Sequence, residues 1–497
     1  MQVEALLAQA ASKGRALTCD DVTLADQPSA VHPNEVDLRG RVTPRYRLPL
    51  PLLSAAMDTV TEAAMALAMA QQGGVGVLHR NLAPEEQARQ VAWVRGQVHL
   101  GGAIAQPVCF AAGDRLSALQ AHRAAHQLTF HSFPILDAER RLVGLVTRNE
   151  LAFAGDANPL LGALMRPLAD LVHALAPCTS EEAHAIMVAK RVKRLPVVDA
   201  EGRLAALYVW RDLCQHAAQR AGYALDEEGH FLVAAAVSPQ PSDWARVELL
   251  AAVGCKILVI DSSHGACTQV RNLLARVRTA YPALQLIVGN VASYASAKYL
   301  LQGAALPDAL KVGVGPGSIC TTRQVTGHGV PQLTAIGEVR RAIRESGADC
   351  TLIADGGVRC AGDAIKCLAF GADAVMLGSL LAGCDESCAE RVGAHKRLRG
   401  MASEAALAAH RGSRARYGQL QGEAEALSAA QQAKTTPEGV EGLVKASGPL
   451  ALVLQRLAGG LRSGLAHSGA AGWAAFKPLV WRQSSAGVLE GRPHSIQ

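Results

Sequence analysis

The sequence predicts an α/β protein, a (β/α)8 TIM barrel interrupted by an inserted pair of repeats. Three observations carry that fold class. Eight short apolar runs recur along the 497 residues, each followed by a helix-like segment. Their spacing is even except for one gap of about 150 residues, too long for a single crossover loop. That gap contains two similar stretches.

The runs are LPLLSAAMD (ending at Asp58), GVGVLHR (74–80), FLVAAAV (231–237), KILVIDSS (256–263), LQLIVGN (284–290), ALKVGVG (309–315), CTLIADGG (350–357) and AVMLGSL (374–380). Runs apolar on both faces fit parallel strands covered on each side. In such a barrel the chemistry gathers at the C-terminal strand ends. Within the gap, LTFHSFPILDAERRLVGLVTRNELA (128–152) resembles KRVKRLPVVDAEGRLAALYVWRDLC (190–214). Each reads as strand, polar turn, strand and helix start, and such copies stack as a pair. The expected boundaries are barrel at 1–100 and 218–497, with the insertion at 101–217 and its repeats near 101–157 and 165–217. The polar, alanine-rich GQLQGEAEALSAAQQAKTTPEG (418–439) reads as a surface lid within a flap spanning about 400–440, or as a plain linker.

Hydrophobic residues make up 49% and charged residues 19%, an ordinary globular balance. The net charge of +6 is spread thinly, which argues against nucleic acid or a membrane surface as partner. Twelve cysteines include no CxxC pair, and Cys384 and Cys388 read as a coincidence rather than half a metal site. Scattered cysteines, no signal-type start and no bilayer-length apolar run predict a reduced, cytoplasmic protein. The C-terminal HSIQ is not a peroxisomal address.

The most chemically suggestive stretch is GVGPGSICTTR (313–323). Glycines there let the backbone bend and present its N–H and C=O groups. Cys320 then sits at a strand's C-terminal end with Thr322 and Arg323 beside it. It is a candidate nucleophile, or one more structural thiol. ADGG (354–357) and LGS (377–379) end the next two strands, where barrels commonly hold phosphate. Asp355 suits ribose hydroxyls, while Gly378 and Ser379 suit phosphate. IDSSHG (260–265) supplies Asp261 for a hydroxyl or a cofactor, and His264 as a base or a bland loop residue. Asn290 offers an amide. Arg416 and Tyr417 open the polar segment and Glu438 closes it.

Together these motifs resemble the inosine monophosphate dehydrogenase and guanosine monophosphate reductase family over nearly the whole chain. LTCDDVTL (17–24), SAAMDTVTE (54–62), GGVGVLHRN (73–81), IDSSHG, GNV, KVGVGPGSICTTR, ADGG, GSLLAG, RGM, GGLRSG (459–464) and AGVLEGRPH (486–494) follow in the family's order. The resemblance implies that Cys320 attacks C2 of inosine monophosphate, with Thr322 assisting. A hydride then passes to NAD, and Arg416 with Tyr417 activates water to release xanthosine monophosphate. It assigns Ser318, Asp355, Gly356, Gly357, Gly378 and Ser379 to the ribose phosphate, and Met401 and Glu438 to the base. Asp261, Ser262, Ser263, Asn290, Gly313 and Gly315 fall to the cofactor. Carbonyls of Gly315, Gly317 and Cys320 would hold potassium, completed by Glu490, Gly491 and Arg492 of a neighbouring subunit. The family likeness also implies a homotetramer, with pairing into octamers open. The repeats resemble a tandem CBS pair that binds adenine or guanine nucleotides, with Asp212 as a ribose-binding acid and Glu150 at the matching place in the first copy.

The cysteine loop is common to both arms of the family. Arg416–Tyr417, IDSSHG and the insertion favour the dehydrogenase. Against it, GMASE (400–404) resembles the reductase's GMSSE, Ala402 replaces a glycine, Gly418 follows the Arg-Tyr pair, and Leu398 stands where a phosphate-binding tyrosine is usual. The expectation is a divergent NAD-dependent dehydrogenase. The alternatives are an NADPH-dependent guanosine monophosphate reductase and a catalytically weak nucleotide sensor.

Overall fold

The computed structural model describes residues 1–97, 103–104, 107–125, 128, 130–154, 158–211, 213–214, 220–409, 436–484 and 487–488. It divides into two compact units. The first comprises Met1–Arg95, Gly222–Asp226 and Phe231–Gln497; the second comprises Gly96–Ala221 and Glu227–His230.

In the first unit eight parallel strands close into a barrel. They are β1 (Leu52–Ser54), β2 (Val75–Leu78), β3 (Val233–Val237), β4 (Ile257–Asp261), β5 (Gln285–Val291), β6 (Ala309–Val312), β7 (Thr351–Asp355) and β8 (Ala374–Leu377). Strand order follows the chain, and β8 pairs back onto β1. Each apolar run supplies one strand. Helices cover the outside, from Ala63–Gln71 after β1 to Leu450–His467 after β8. The helix after β6, Gln332–Ser346, shows why: Leu333, Ile336, Val339 and Ile343 form one buried stripe. Each such side chain contributes roughly 1.5–3 kcal/mol by leaving water. Gly347, at φ +67°, ends that helix in the left-handed cap glycine favours.

The barrel interior is filled by alternate residues of each strand, as the two-residue period requires. Val75 and Val77 of β2, Ala234 and Ala236 of β3, Ile257 and Val259 of β4, Ile287 of β5, Ala309 of β6 and Ile353 of β7 share this core. Two residues further along, the same faces carry Asp261, Lys311 and Asp355. The barrel is therefore apolar below and ionic at its C-terminal mouth. Two further strands, β9 (His395–Arg399) and β10 (Glu441–Lys445), pair antiparallel with Leu398 opposite Gly442.

The second unit contains two four-stranded sheets. Strands Phe133–Leu136 and Leu142–Val146 form the antiparallel centre of one, and Arg194–Val198 and Leu204–Val209 that of the other. Their turns are built alike. Asp137 accepts from the backbone N–H of Arg141 at 2.8 Å and pairs with its guanidinium at 2.8 Å. Asp199 does the same for Arg203 at 2.7 and 2.9 Å. Arg141 and Arg203 face each other in an antiparallel bridge. Glu150 closes a capping box with Thr147; Asp212 lies outside the described residues. Among the described residues, no helix is long and apolar enough to cross a membrane.

Candidate active site

The loop after β6 folds back on itself. Cys320 N–H donates to Gly317 O at 3.1 Å, which closes the turn presenting the thiol. The loop is then pinned by a second segment. Cys320 bridges Gly439, Thr321 N–H donates to Glu438 O at 2.9 Å, and Val440 N–H donates to Ile319 O at 2.9 Å. Arg323 closes the loop ends by donating to Val314 O at 3.1 Å and Val330 O at 2.7 Å. Burial holds its guanidinium pKa below the usual arginine value.

Gly313 is the position where no other residue fits. Its φ is +153°, and an added Cβ would lie 2.1 Å from Asp355 O. Gly313→Ala is expected to destabilise the fold by about 3 kcal/mol or more through strain and clash. Urea unfolding measures this. A change within about 0.5 kcal/mol, typical of an indifferent surface site, would contradict this loop geometry.

The half-buried Cys320 Sγ lies 3.2 Å from Thr322 Oγ1, and Thr322 Oγ1 donates to Glu438 Oε2 at 2.9 Å. Because the hydroxyl's proton goes to the carboxylate, its lone pairs face the thiol. The result is a thiol–hydroxyl–carboxylate chain suited to carrying a proton away from a nucleophile.

These groups line one open cleft at the C-terminal mouth of the barrel, where barrels place their chemistry. Cys320, Thr322 and Glu438 stand on one side with Met401; Asp261, Ser263, Asn290 and Asp355 stand at the strand ends, with Gly313, Gly315, Gly317 and Gly356 in the loops between. Asn81 Nδ2 reaches both Asp58 Oδ2, at 2.7 Å, and Met401 Sδ, at 3.8 Å. Arg399 completes that support with a 2.8 Å bond to Asp58.

Other expected site residues are not part of this lining. Ser262 turns into its own loop, its hydroxyl donating to His264 O at 3.2 Å. Ser318 is exposed, and Gly357, Gly378 and Ser379 flank the cleft at the ends of β7 and β8 without lining it. Gly378 touches it indirectly: a Cβ there would meet Sδ of the lining residue Met57 at 3.2 Å. Arg416, Tyr417, Glu490, Gly491 and Arg492 lie outside the described residues. Of the span 400–440 expected as a flap, residues 410–435 lie outside the described residues, and the two ends help to build the cleft wall. Gly400 N–H donates to Val440 O and Glu438 N–H to Ala402 O, both at 3.1 Å. Backbone pairing beside β9 and β10 decides this, and side-chain polarity does not report it.

The main residue missed by sequence reading is Lys311. It is 2% exposed and sits between Asp261, Asn290 and Asp355. The signal was present: ALKVGVG places one lysine inside an otherwise apolar strand.

For a metal, Gly315, Gly317 and Cys320 provide backbone carbonyls, hard oxygens that suit an alkali cation. Gly317 O already accepts from Cys320 N–H, and a second lone pair remains on that oxygen. Glu62, His79 and Cys388 also bring ligand atoms within 4.8 Å of one another. However, His79 Nδ1 accepts from Asn81 N–H at 3.2 Å, so Nε2 carries the proton and faces Glu62 at 3.3 Å. The His79 bond holds Glu62 below the usual carboxylate range, and burial pushes the Cys388 thiol up to about 12. This trio is a hydrogen-bonded support, not a metal centre.

A family model described as "IMP dehydrogenase / GMP reductase domain" matches residues 16–494. The inosine-5'-monophosphate dehydrogenase of Aquifex aeolicus is 39% identical over 494 residues, covering 97% of this chain and 96% of the relative. That of Bacillus subtilis is 38% identical over 489 residues with the same coverage. Among solved structures, a cysteine-to-alanine GMP reductase from Trypanosoma brucei bound to guanosine 5'-monophosphate superposes with a TM-score of 0.85 at 33% identity, covering 98% of this chain and 100% of that one.

Proposed function

The chain belongs to the IMP dehydrogenase / GMP reductase family, and on that premise we propose that it oxidises inosine monophosphate to xanthosine monophosphate with NAD. The observation that carries the reading is the Cys320–Thr322–Glu438 chain in a cleft at the C-terminal mouth of the barrel. Cys320 Sγ bonds to C2 of the purine as its proton leaves through Thr322 toward Glu438. NAD, held by Asp261 and Asn290, would supply the hydride acceptor, so that loss of the C2 hydrogen with its electron pair would leave a thioimidate on Cys320. Water then adds at C2 and expels the thiol. Arg416 and Tyr417 are the proposed activators of that water. Met401 and the backbone near Glu438 would hold the base, Asp355 with the adjoining Gly356, Gly357, Gly378 and Ser379 the ribose phosphate, and Asp261 and Asn290 the cofactor.

The carbonyls of Gly315, Gly317 and Cys320 would hold a potassium ion with Glu490, Gly491 and Arg492 of an adjacent subunit in a homotetramer. We assign the second unit as a CBS pair binding adenine or guanine nucleotides. The matched Asp137–Arg141 and Asp199–Arg203 turns support two like halves.

A second reading, guanosine monophosphate reductase, draws on the structural likeness to the Trypanosoma brucei reductase and on Ala402. A paired absorbance assay separates them. NADH formation from inosine monophosphate is expected; NADPH consumption with ammonia release from guanosine monophosphate would replace the first reading with the second. In Arg416→Ala, hydrolysis should slow far more than hydride transfer, giving a burst of NADH before a slower steady state. A progress curve without a burst removes Arg416 from the water-activating role.

A further inference from the structure

We propose that Lys311 is a positioning residue that couples the substrate's ribose site to the cofactor's, with one ammonium orienting Asp355, Asp261 and Asn290 together. This rests on the assignment of Asp355 and Asp261 to those two riboses.

The strand period puts Lys311 there. It lies two residues beyond Ala309 on β6, as Asp261 lies beyond Val259 on β4 and Asp355 beyond Ile353 on β7. All three point into the barrel mouth. Room for the lysine comes from Gly289 on β5, where a Cβ would sit 2.7 Å from Lys311 Cβ.

An ammonium has three donors and no acceptor. Lys311 donates to Asp355 Oδ2 at 2.5 Å and to Asn290 Oδ1, and its charge forms an ion pair with Asp261 Oδ1 at 3.2 Å, an oxygen that accepts no hydrogen bond. Because Asn290 gives its oxygen to the lysine, its Nδ2 faces the other way. It donates to Asp355 Oδ2 at 2.9 Å and to Gly313 O at 2.7 Å. Gly313 is the root of the cysteine loop, so the same network reaches the base of the catalytic turn.

A purely structural salt bridge would need only one carboxylate. Here one buried cation serves two, and both open onto the cleft. In a low-dielectric mouth, two carboxylates without the cation repel each other. With it, each carboxylate is aimed and keeps lone pairs for ribose hydroxyls. A nucleotide that orders Asp355 therefore also orders the ammonium, and through it Asp261.

The test uses full-length protein in a Cys320→Ala background, so that both ligands bind without reacting. Calorimetry measures Kd for inosine monophosphate and NAD, each alone and in the presence of the other. Lys311→Met is expected to weaken both ligands by about tenfold to a hundredfold, the scale of a lost charge-assisted bond, and to abolish any effect of one ligand on the other. Lys311→Arg, which keeps the charge, should restore most of both. If Lys311→Met yields no folded protein, Lys311→Gln supplies a neutral donor of similar reach and should show the same double loss. Weakening of one ligand only, or unchanged coupling in the neutral variants, overturns the inference and leaves the proposed function standing. If the Lys311-intact protein binds neither ligand, the proposed function falls and takes this inference with it.

Discussion

Cys320→Ala abolishes turnover while leaving the nucleotide bound: kcat falls on the order of 10⁴-fold or more, as when other covalent nucleophiles are removed. The substitution deletes the atom that forms the thioimidate in the proposed reaction. The turn around it survives, because it is held by backbone bonds: Cys320 N–H to Gly317 O, Thr321 N–H to Glu438 O and Val440 N–H to Ile319 O. Nucleotide affinity measured by calorimetry should therefore change by less than about threefold, well under the loss for a broken binding contact. Turnover within about tenfold of native would exclude covalent catalysis by Cys320, since no activated nucleophile contributes so little. A thousandfold loss of nucleotide affinity would mean instead that the cysteine shapes the binding site.

Glu438→Gln lowers kcat by about 10²–10³-fold, the range of a lost general base. The variant keeps size and hydrogen bonding but cannot take the proton that Thr322 passes on. Thr322→Val breaks the same chain one link earlier and should cost about as much. The double variant is the sharper measurement. Members of one relay are not additive, so it should be no slower than the worse single variant. Multiplied losses would show that Thr322 and Glu438 act separately, for example with Glu438 serving only the base.

The eight strands were legible because each is a continuous apolar run, and a barrel strand buried on both faces must be one. The cysteine loop was legible as a turn, since alternating glycines at a strand end let the backbone bend and present the thiol. Lys311 was hidden for the opposite reason. A single lysine in a strand reads as noise until β4 and β7 bring Asp261 and Asp355 beside its ammonium. Glu438 was suspected only as a contact to the base. Its bond to Thr322 joins residues 116 positions apart, a separation that no local pattern encodes.

Burial and backbone period are properties of short segments, so the sequence by itself determined the barrel, its strand order and the cysteine's station at the mouth. Charge pairing depends on which strand ends converge. Only the tertiary structure decided that Ser262 turns away, that residues 400–402 and 438–439 build a wall, and that one buried ammonium lies between two carboxylates. Each is a contact between distant segments, set by the closure of the ring and invisible until it closes.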